Sequence, residues 1–447
     1  MVSDAKSRRS PKANGGLIYE SVRLAAAMVS DESRKFVARQ FARHYRDSPL
    51  AMPDRFAKRE FGFMFFDRRF MMRHMAFPSR AALKRYLVEN VPAHAYYSTA
   101  YYEKPDAPTM GEKKWLAADL LFDLDADHVR GAEDLPYEHM LERVKKEVVR
   151  LLDEFLLGDL GFDNTDLKVV FSGGRGYHVH VHDPKVLRLS SHERREIVDY
   201  VTGTDLDLDW VFPSTPFEQS RYRDRTGVTY RRAMPKIGDG GWRGRIRKGV
   251  EELLSELEDL PEEDAKKRIA DGLSSSKRDI GAKTVGGLYA DLFAKSRGIS
   301  GAGRIRKEDT YEVFSEKRHS EAFLELVNLR VRGDVKGETD EPVTSDIRRL
   351  IRLPSSLHGK TAFEVIPMTR DDLDDFDPFV DAVPRAFEET DVGVSCEKAV
   401  SVELRGERFE LDEGRNNVPA YVATHLICRN RASIDSGHTK YLSATCV

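Results

Sequence analysis

The chain carries the segment Ala118-Asp-Leu-Leu-Phe-Asp-Leu-Asp-Ala-Asp127, in which an apolar run leads directly into alternating carboxylates. Leu120 to Phe122 are typical of a buried strand, and Asp123 and Asp125 follow at its water-accessible end. Side chains two apart on a strand share a face and lie roughly 7 Å from each other. Two such carboxylates repel each other, and a pair of divalent cations bound by their oxygens removes that repulsion. The segment therefore predicts either a two-metal site or an acidic strand end that points into solvent.

A glycine-rich motif follows farther along the chain, where the sequence reads Lys168-Val-Val-Phe-Ser-Gly-Gly-Arg-Gly-Tyr-His-Val-His-Val-His182. Val169–Phe171 and Tyr177–Val181 are predicted strands, and the loop from Ser172 to Gly176 joins them. The glycines permit close backbone approach, their N–H groups can form an anion-binding nest, and the planar guanidinium of Arg175 suits phosphate oxygens. The loop lacks the ending of a Walker A motif, which argues against a P-loop ATPase. A plain hairpin turn is the alternative to phosphate binding.

Three histidines, His178, His180 and His182, alternate along the second of these strands and share one face. Imidazole is a common zinc ligand, but steps of about 7 Å are too wide for one tetrahedral ion with bonds near 2 Å. We therefore expect His178 to contact phosphate and the other two to line the same groove. Ordinary packed histidines are the alternative.

A third segment runs from Asp340 to Thr361 and combines an acid with basic and donor-rich residues. Thr344 or Ser345 is predicted to cap a short helix that buries apolar side chains and that Pro354 ends. The inward positions are Ile347, Leu350 and Ile351, and the remaining basic residues are Arg348, Arg349 and Arg352. The donor-rich loop that follows contains Ser355, Ser356, His358, Lys360 and Thr361. A solvated basic helix with Asp340 as a lone surface acid is the alternative to a third carboxylate of one site.

These three motifs, in this order, resemble the small catalytic subunit of archaeal and eukaryotic DNA primases. The residues that carry the resemblance are Asp123-x-Asp125, Ser172-Gly-Gly-Arg-Gly-Tyr-His178, and Asp340 followed by Arg349-Leu-Ile-Arg-Leu-Pro-Ser-Ser-Leu-His-Gly-Lys-Thr361. Upstream, Arg59-Glu-Phe-Gly-Phe63 and Met71-Met-Arg-His-Met-Ala-Phe77 also look like family segments. The likeness spans roughly residues 20–365 and is nearest to the archaeal form.

The resemblance implies a role for each matching position. Two Mg²⁺ or Mn²⁺ ions would be bound by Asp123, Asp125 and Asp340. The triphosphate of the incoming nucleotide would be held by Ser172, Arg175, His178, Arg352 and His358. Glu60 and Arg73 would lie nearby in a supporting or substrate-contacting role.

The implied activity is that of a DNA-templated primase, which makes short RNA or DNA primers from nucleoside triphosphates on single-stranded DNA. The family also implies a large partner subunit. A related template-dependent repair polymerase that extends existing ends is the runner-up. A metal-dependent nuclease would use the same acids without needing the phosphate-binding residues, and a catalytically silent DNA-binding subunit would tolerate loss of the acids.

Charge and cysteine content limit the other partners. The 72 basic and 75 acidic residues give a net charge of −3, so contacts with nucleic acid must come from local patches. The best candidate for contact with the template strand runs from Trp242 to Lys248, where an aromatic lies beside several cations, and an ordinary solvated surface is the alternative. Cys396, Cys428 and Cys446 form no C-x-x-C pair and residues 128–167 hold no cysteine, so we expect neither disulfides nor structural zinc. No apolar run is long enough for a membrane span, and we expect a cytoplasmic chain that acts at the replication fork.

The expected fold is a mixed α/β, primase-type catalytic fold, with a mixed sheet flanked by helices and a mostly helical insertion. Residues 1–15 form a disordered basic tail, residues 16–189 and 300–447 a discontinuous catalytic domain, and residues 190–299 the insertion. A helix is predicted from Leu141 to about Gly158, and a capping box, Ser190-x-x-Glu193, opens another. A hairpin over Val400–Leu411 and an apolar helix near Val418–Ile427 are predicted in the last part.

Overall fold

Helices and antiparallel strands alternate along the chain, which confirms the predicted mixed α/β class. The computed structural model describes residues 30–68, 70–127, 129, 135–222, 225–274, 276, 280–296, 298–333 and 341–435. The predicted tail at residues 1–15 lies outside these ranges.

The strands, in chain order, are β1 (Phe61–Met64), β2 (Met72–Met75), β3 (His94–Ser98), β4 (Ala100–Tyr102), β5 (Trp115–Ala118), β6 (Leu120–Asp125), β7 (Leu167–Phe171), β8 (Gly176–Val181), β9 (Ser214–Tyr222), β10 (Arg225–Arg232), β11 (Leu350–Arg352), β12 (Ile366–Met368), β13 (Asp391–Cys396), β14 (Val400–Leu404), β15 (Glu407–Leu411), β16 (Gly414–Pro419) and β17 (Ala432–Ile434). Every described strand pair is antiparallel, including those in the sheet that was expected to be mixed.

The α-helices are α1 (Asp31–Asp47), α2 (Arg80–Asn90), α3 (Tyr137–Arg150), α4 (Ser191–Thr202), α5 (Leu208–Val211), α6 (Gly241–Glu258), α7 (Glu262–Gly272), α8 (Ala282–Phe293), α9 (Gly301–Glu308), α10 (Lys317–Gly333), α11 (Glu341–Ser345), α12 (Arg370–Asp375), α13 (Pro378–Asp381) and α14 (Ala420–Cys428). Short 3₁₀ helices cover Phe56–Lys58 and Asn164–Asp166, and a π-helix covers Leu151–Asp159. Among the described helices, none combines the length and the apolarity that crossing a membrane requires.

The chain forms two compact units. The first contains Met1–Val149, Asp163–Arg194 and Asp340–Val447, and the second contains Arg150–Phe162 and Arg195–Thr339. The domain boundaries predicted at residues 189 and 300 remain a prediction, because compactness alone does not establish a domain that folds by itself.

One four-stranded sheet of the first unit has the order β12-β7-β8-β6. Its register places Asp123 opposite His178 and Asp125 opposite Gly176. Residues directly opposite each other on antiparallel strands have side chains on the same face, so the acids and the histidines of β8 share a face. The other face carries Phe122, Leu124 and the alternating apolar residues of β8, which are buried. This burial explains why the acids must point the other way.

The second four-stranded sheet has the order β11-β3-β1-β2. Its strand β11 shows that the predicted helix over Ile347–Ile351 is wrong, because Leu350 pairs with Ser98 and Arg352 with Tyr96. The helical spacing of three apolar residues was misleading. The open edge of β3 offers hydrogen-bond partners to a β-type Leu-Ile pair, and this long-range pairing overrides a weak local preference.

Several local predictions are confirmed. The helix expected from Leu141 is α3, continued by the π-helix to Asp159. At the start of α4, Ser190 N donates to the Glu193 carboxylate at 2.7 Å and Glu193 N donates to Ser190 Oγ at 3.4 Å, as a capping box requires. The hairpin near Val400 is β14 with β15, and the apolar helix is α14.

In the second unit, Trp242 does not have the exposed position that was predicted for it. Trp242 lies near the start of α6 and is buried, with 2% of the residue exposed. Its indole N–H donates to Tyr200 O at 2.8 Å. The neighbouring Arg245 is occupied by Asp159 at 2.6 Å and Glu154 at 3.0 Å. A template strand therefore cannot stack on this tryptophan, and the prediction is wrong.

Candidate active site

The two acids of β6 lie side by side and are open to solvent. The Asp123 side chain is 21% exposed and that of Asp125 is 35% exposed, although the apolar residues between and before them are buried. His178 Nε2 lies 3.7 Å from Asp123 Oδ1, across the strand pair. Two partly exposed carboxylates on one strand face form an oxygen-rich donor set, and such a set suits Mg²⁺ or Mn²⁺.

Arg175, in the glycine-rich loop, lies close to the end of β6. Its Nε lies 3.7 Å from Asp125 Oδ1, and its terminal nitrogen donates to Asp127 at 2.5 Å. The Arg175 side chain is about half exposed, so an incoming anion can reach it without unfolding the loop. A fork-shaped donor at this place can bind phosphate oxygens bidentately beside the carboxylates.

The loop owes its path to glycines at two positions. At Gly176, a Cβ atom would lie 2.1 Å from Leu124 O, so any side chain would push β8 away from β6. At Gly173, φ is +74° and a Cβ would lie 2.8 Å from His358 Cβ. Ser172 Oγ accepts a hydrogen bond from Gly174 N at 3.3 Å, which folds the loop over its own first residue. The glycines therefore let the backbone of this loop pack closely against His358 of the third motif.

His178 is buried, with 5% of its side chain exposed. Burial, and then the nearby His180, Arg352 and Arg349, lower its pKa well below the usual value. The imidazole is therefore neutral near pH 7, and it can donate a single directional hydrogen bond to an anionic ligand.

The third motif meets the glycine-rich loop directly. Thr361 Oγ1 donates to Gly173 O at 2.5 Å and lies 3.2 Å from His358 Nδ1. His358 is buried, and burial followed by Arg352 and His94 lowers its pKa well below the usual value. Arg352 is close enough to both His178 and His358 to affect their pKa values, and Arg175 affects His358 in the same way. The phosphate-binding candidates of both motifs therefore lie close together, and His178 lies beside the β6 acid Asp123.

Asp340, the third predicted metal ligand, lies outside the residues that the structure describes. Its predicted place beside Asp123 and Asp125 remains a prediction.

Glu60, next to β1, pairs with the partly exposed Arg73 of β2. Glu60 is fully buried and accepts from Arg73 Nε at 3.1 Å and from His74 N at 3.0 Å, with Lys113 Nζ at 3.3 Å. Burial alone would raise the pKa of this carboxyl, but Arg73, the His74 N–H group and Lys113 hold it below its usual value. A carboxylate with so many donors fixes the position of Arg73, which suits a supporting role for Glu60.

Sequence reasoning missed Asp119 as the partner of the other two histidines. Asp119 Oδ1 lies 3.4 Å from His182 Nδ1, and Oδ2 lies 3.9 Å from His180 Nδ1. The three ligand atoms all lie within 4.8 Å of one another, which is near the spacing of a metal site. However, Arg59 donates to Oδ2 at 2.8 Å and the Tyr101 hydroxyl donates to Oδ1. The buried guanidinium of Arg59 would repel a divalent ion at this place, so we assign a structural role to this cluster.

Comparison with known proteins gives a consistent result. The sequence model of the family described as DNA primase small subunit matches residues 122–370. The DNA primase small subunit PriS of Methanocella arvoryzae is 39% identical over 415 residues, which cover 91% of this chain and 100% of that protein. The protein of the same name from Methanothrix thermoacetophila is 39% identical over 418 residues, with 91% of this chain and 100% of that protein covered. That of Methanospirillum hungatei is 39% identical over 411 residues, with 90% and 97% covered.

Proposed function

The chain belongs to the DNA primase small subunit family, and from that premise we propose that it is the catalytic subunit of a DNA-templated primase. It makes short RNA or DNA primers from nucleoside triphosphates on single-stranded DNA. One observation carries the proposal: Asp123 and Asp125 are partly exposed on one sheet face, and the arginines and histidines of two distant motifs lie close together beside them.

The donor set fits a pair of divalent cations. Asp123, Asp125 and Asp340 would hold two Mg²⁺ or Mn²⁺ ions, which supply charge neutralisation and activation of the attacking hydroxyl when bound. Arg175 Nε lies 3.7 Å from Asp125 Oδ1. The Asp125 side chain is 35% exposed, so a metal ion can approach its carboxylate from solvent.

The chain's own residues bind and orient the triphosphate. Arg175 and Arg352 offset its negative charge, while the neutral His178 and His358 donate directional hydrogen bonds. Ser172 and the loop N–H groups add uncharged donors. Phosphoryl-type transfer depends mostly on positioning and on stabilising charge that develops on the leaving group, so fixed donors at these positions lower the barrier.

The relatives are named small subunits, and this supports a large partner subunit for the present chain.

We propose that Glu60 supports nucleotide binding indirectly, because it holds Arg73 on the second sheet. Arg73 is 28% exposed and is available to a substrate phosphate.

The test is nucleotide incorporation on unprimed single-stranded DNA with Mg²⁺ or Mn²⁺. Wild type is compared with Asp125→Asn and with Asp371→Asn, a matched control in an exposed acidic segment of the same unit. Products from wild type and Asp371→Asn that disappear in Asp125→Asn support the proposal. Equal products from all three proteins would reject the site. Synthesis only on a primed template would favour a repair polymerase, and degradation of the DNA would favour a nuclease.

A further inference from the structure

His94, a fully buried histidine of β3 that belongs to none of the three motifs, contacts two of the phosphate-binding candidates. Its Nδ1 accepts from Arg352 Nη1 at 2.6 Å and from Gly359 N at 3.3 Å. Its ring also packs edge-on against His358, with 5.0 Å between ring centroids. One imidazole therefore connects the strand that carries Arg352 with the loop that carries His358.

The two donors determine the charge of the ring. A guanidinium and a backbone N–H can only donate hydrogen bonds, so Nδ1 must present its lone pair to both. The proton of His94 then lies on Nε2, and the imidazole is neutral. A protonated ring would direct an N–H group at two other donors and repel the guanidinium.

The fold makes this contact possible. Arg352 pairs with Tyr96 in the β11–β3 register, and His94 lies two residues from Tyr96 on the same strand face. Arg352 is also oriented by Tyr96, whose hydroxyl accepts at 3.2 Å and whose ring centroid lies 5.2 Å from the guanidinium carbon. A Cβ atom at Gly359 would lie 3.0 Å from His94 Nε2, so a glycine at this position lets the loop approach.

We propose that His94 is a positioning residue for the triphosphate: its neutral imidazole holds Arg352 and the loop from His358 to Lys360 in the orientation that receives the phosphates. His94 itself need not touch the nucleotide. The proposal rests on the proposed function, because that function makes Arg352 and His358 phosphate ligands.

The test measures binding of Mn²⁺-ATP and of AMP to the full chain by calorimetry, in a double-mutant cycle. His94→Ala should weaken ATP binding about 10- to 100-fold, since a hydrogen bond to a charged group contributes about 1.5–3 kcal/mol. AMP binding should change little. In an Arg352→Ala background, His94→Ala should have a much smaller effect, because residues that act through one another are not additive. Equal effects in both backgrounds would overturn the proposal.

Two conservative variants keep the test decisive if the alanine variant fails to fold. His94→Asn places an acceptor oxygen near the position of Nδ1 and should retain ATP binding within about threefold of wild type. His94→Gln moves the acceptor toward the position of Nε2 and should lose affinity for ATP. Indistinguishable binding by these two variants would contradict the proposal.

His319→Ala is the matched control, because His319 is also buried and pairs with Asp291 at 2.7 Å in the second unit. It should bind ATP as wild type does. Nucleotide incorporation by wild type is measured separately. A chain that shows the predicted binding cycle without incorporation would retain the positioning role and lose the proposed function. If nucleotides are incorporated but the effects of the His94 and Arg352 substitutions on ATP binding are additive, the proposed function stands and the positioning role of His94 is rejected.

Discussion

Asp119 and Asp123 lie four residues apart, and each faces a histidine of the β8 segment on the same side of the sheet, but their surroundings differ. Asp119 is fully buried, and Arg59 and Tyr101 donate to both of its oxygens. Asp123 is 21% exposed, and His178 Nε2 lies 3.7 Å from its Oδ1. The protein supplies a buried counter-charge to one acid and leaves the other open to solvent.

The buried partners of Asp119 give this acid a structural role. Burial alone would raise the pKa of Asp119, but Arg59 and the two histidines hold it well below its usual value. This carboxylate is charged at all ordinary pH values, and its charge is balanced within the fold. At the β6 pair, Arg175 Nε lies 3.7 Å from Asp125 Oδ1 and both side chains reach solvent, so an external cation can approach them.

Replacement of the buried acid, Asp119, should change the free energy of unfolding most. Asp119→Asn leaves the fully buried Arg59 without its counter-charge, and the free energy of unfolding should fall by about 3–5 kcal/mol. Urea unfolding of the full chain measures this. Asp123→Asn is the matched variant and should change the unfolding free energy by less than about 1 kcal/mol. If the two variants lose the same stability, the division into a structural and an open acid is wrong.

A third acid, Glu364, is mostly buried, and burial alone raises its pKa to about 7. A raised folded-state pKa means that the folded protein holds this proton more tightly than the unfolded chain does. The associated stability is complete below the ordinary pKa near 4.5 and is lost as the pH rises through about 7. Relative to Glu364→Gln, wild type should therefore lose on the order of 2–3 kcal/mol between pH 5 and pH 8. Parallel profiles of unfolding free energy against pH for the two proteins would show that this carboxyl has the same pKa in the folded and unfolded states.

The smallest effect separates the acids by metal binding. Mn²⁺ at ten times its dissociation constant should stabilise wild type by about 1.4 kcal/mol, because the ion binds only the folded state. The thermal shift should persist in Glu364→Gln and disappear in Asp123→Asn. A shift that survives Asp123→Asn would place the metal elsewhere, and the Asp119 cluster would be the first alternative to examine.

The sequence was sufficient where function and local pattern coincide. The apolar run before Asp123 and the glycines before His178 predicted β6, β7, β8 and their loop. Those residues carry both a β-type composition and the motif chemistry.

The remainder depends on long-range contacts. Nothing near Asp119 announces Arg59 or Tyr101 as its partners, and His94 has no motif around it. The segment at Leu350 has a helical spacing of apolar residues, but it is a strand because β3 has an open edge there. Trp242 beside several cations has the composition of a nucleic-acid surface, yet Glu154 and Asp159 neutralise Arg245 and the indole is packed.

The connection between the third motif and α14 has a consequence for the growing chain on the ribosome. His425 Nδ1 donates to Thr361 O at 2.8 Å, so the loop that carries His358 is anchored by a helix that is synthesised later. At about 5–20 residues per second, roughly 10–30 s separate the synthesis of His182 from that of Arg352. During that interval the two acids of β6 exist without Arg352 and His358, which complete the set of residues that we propose for the triphosphate. The loop that carries His358 therefore reaches its anchored position only after α14 has been synthesised.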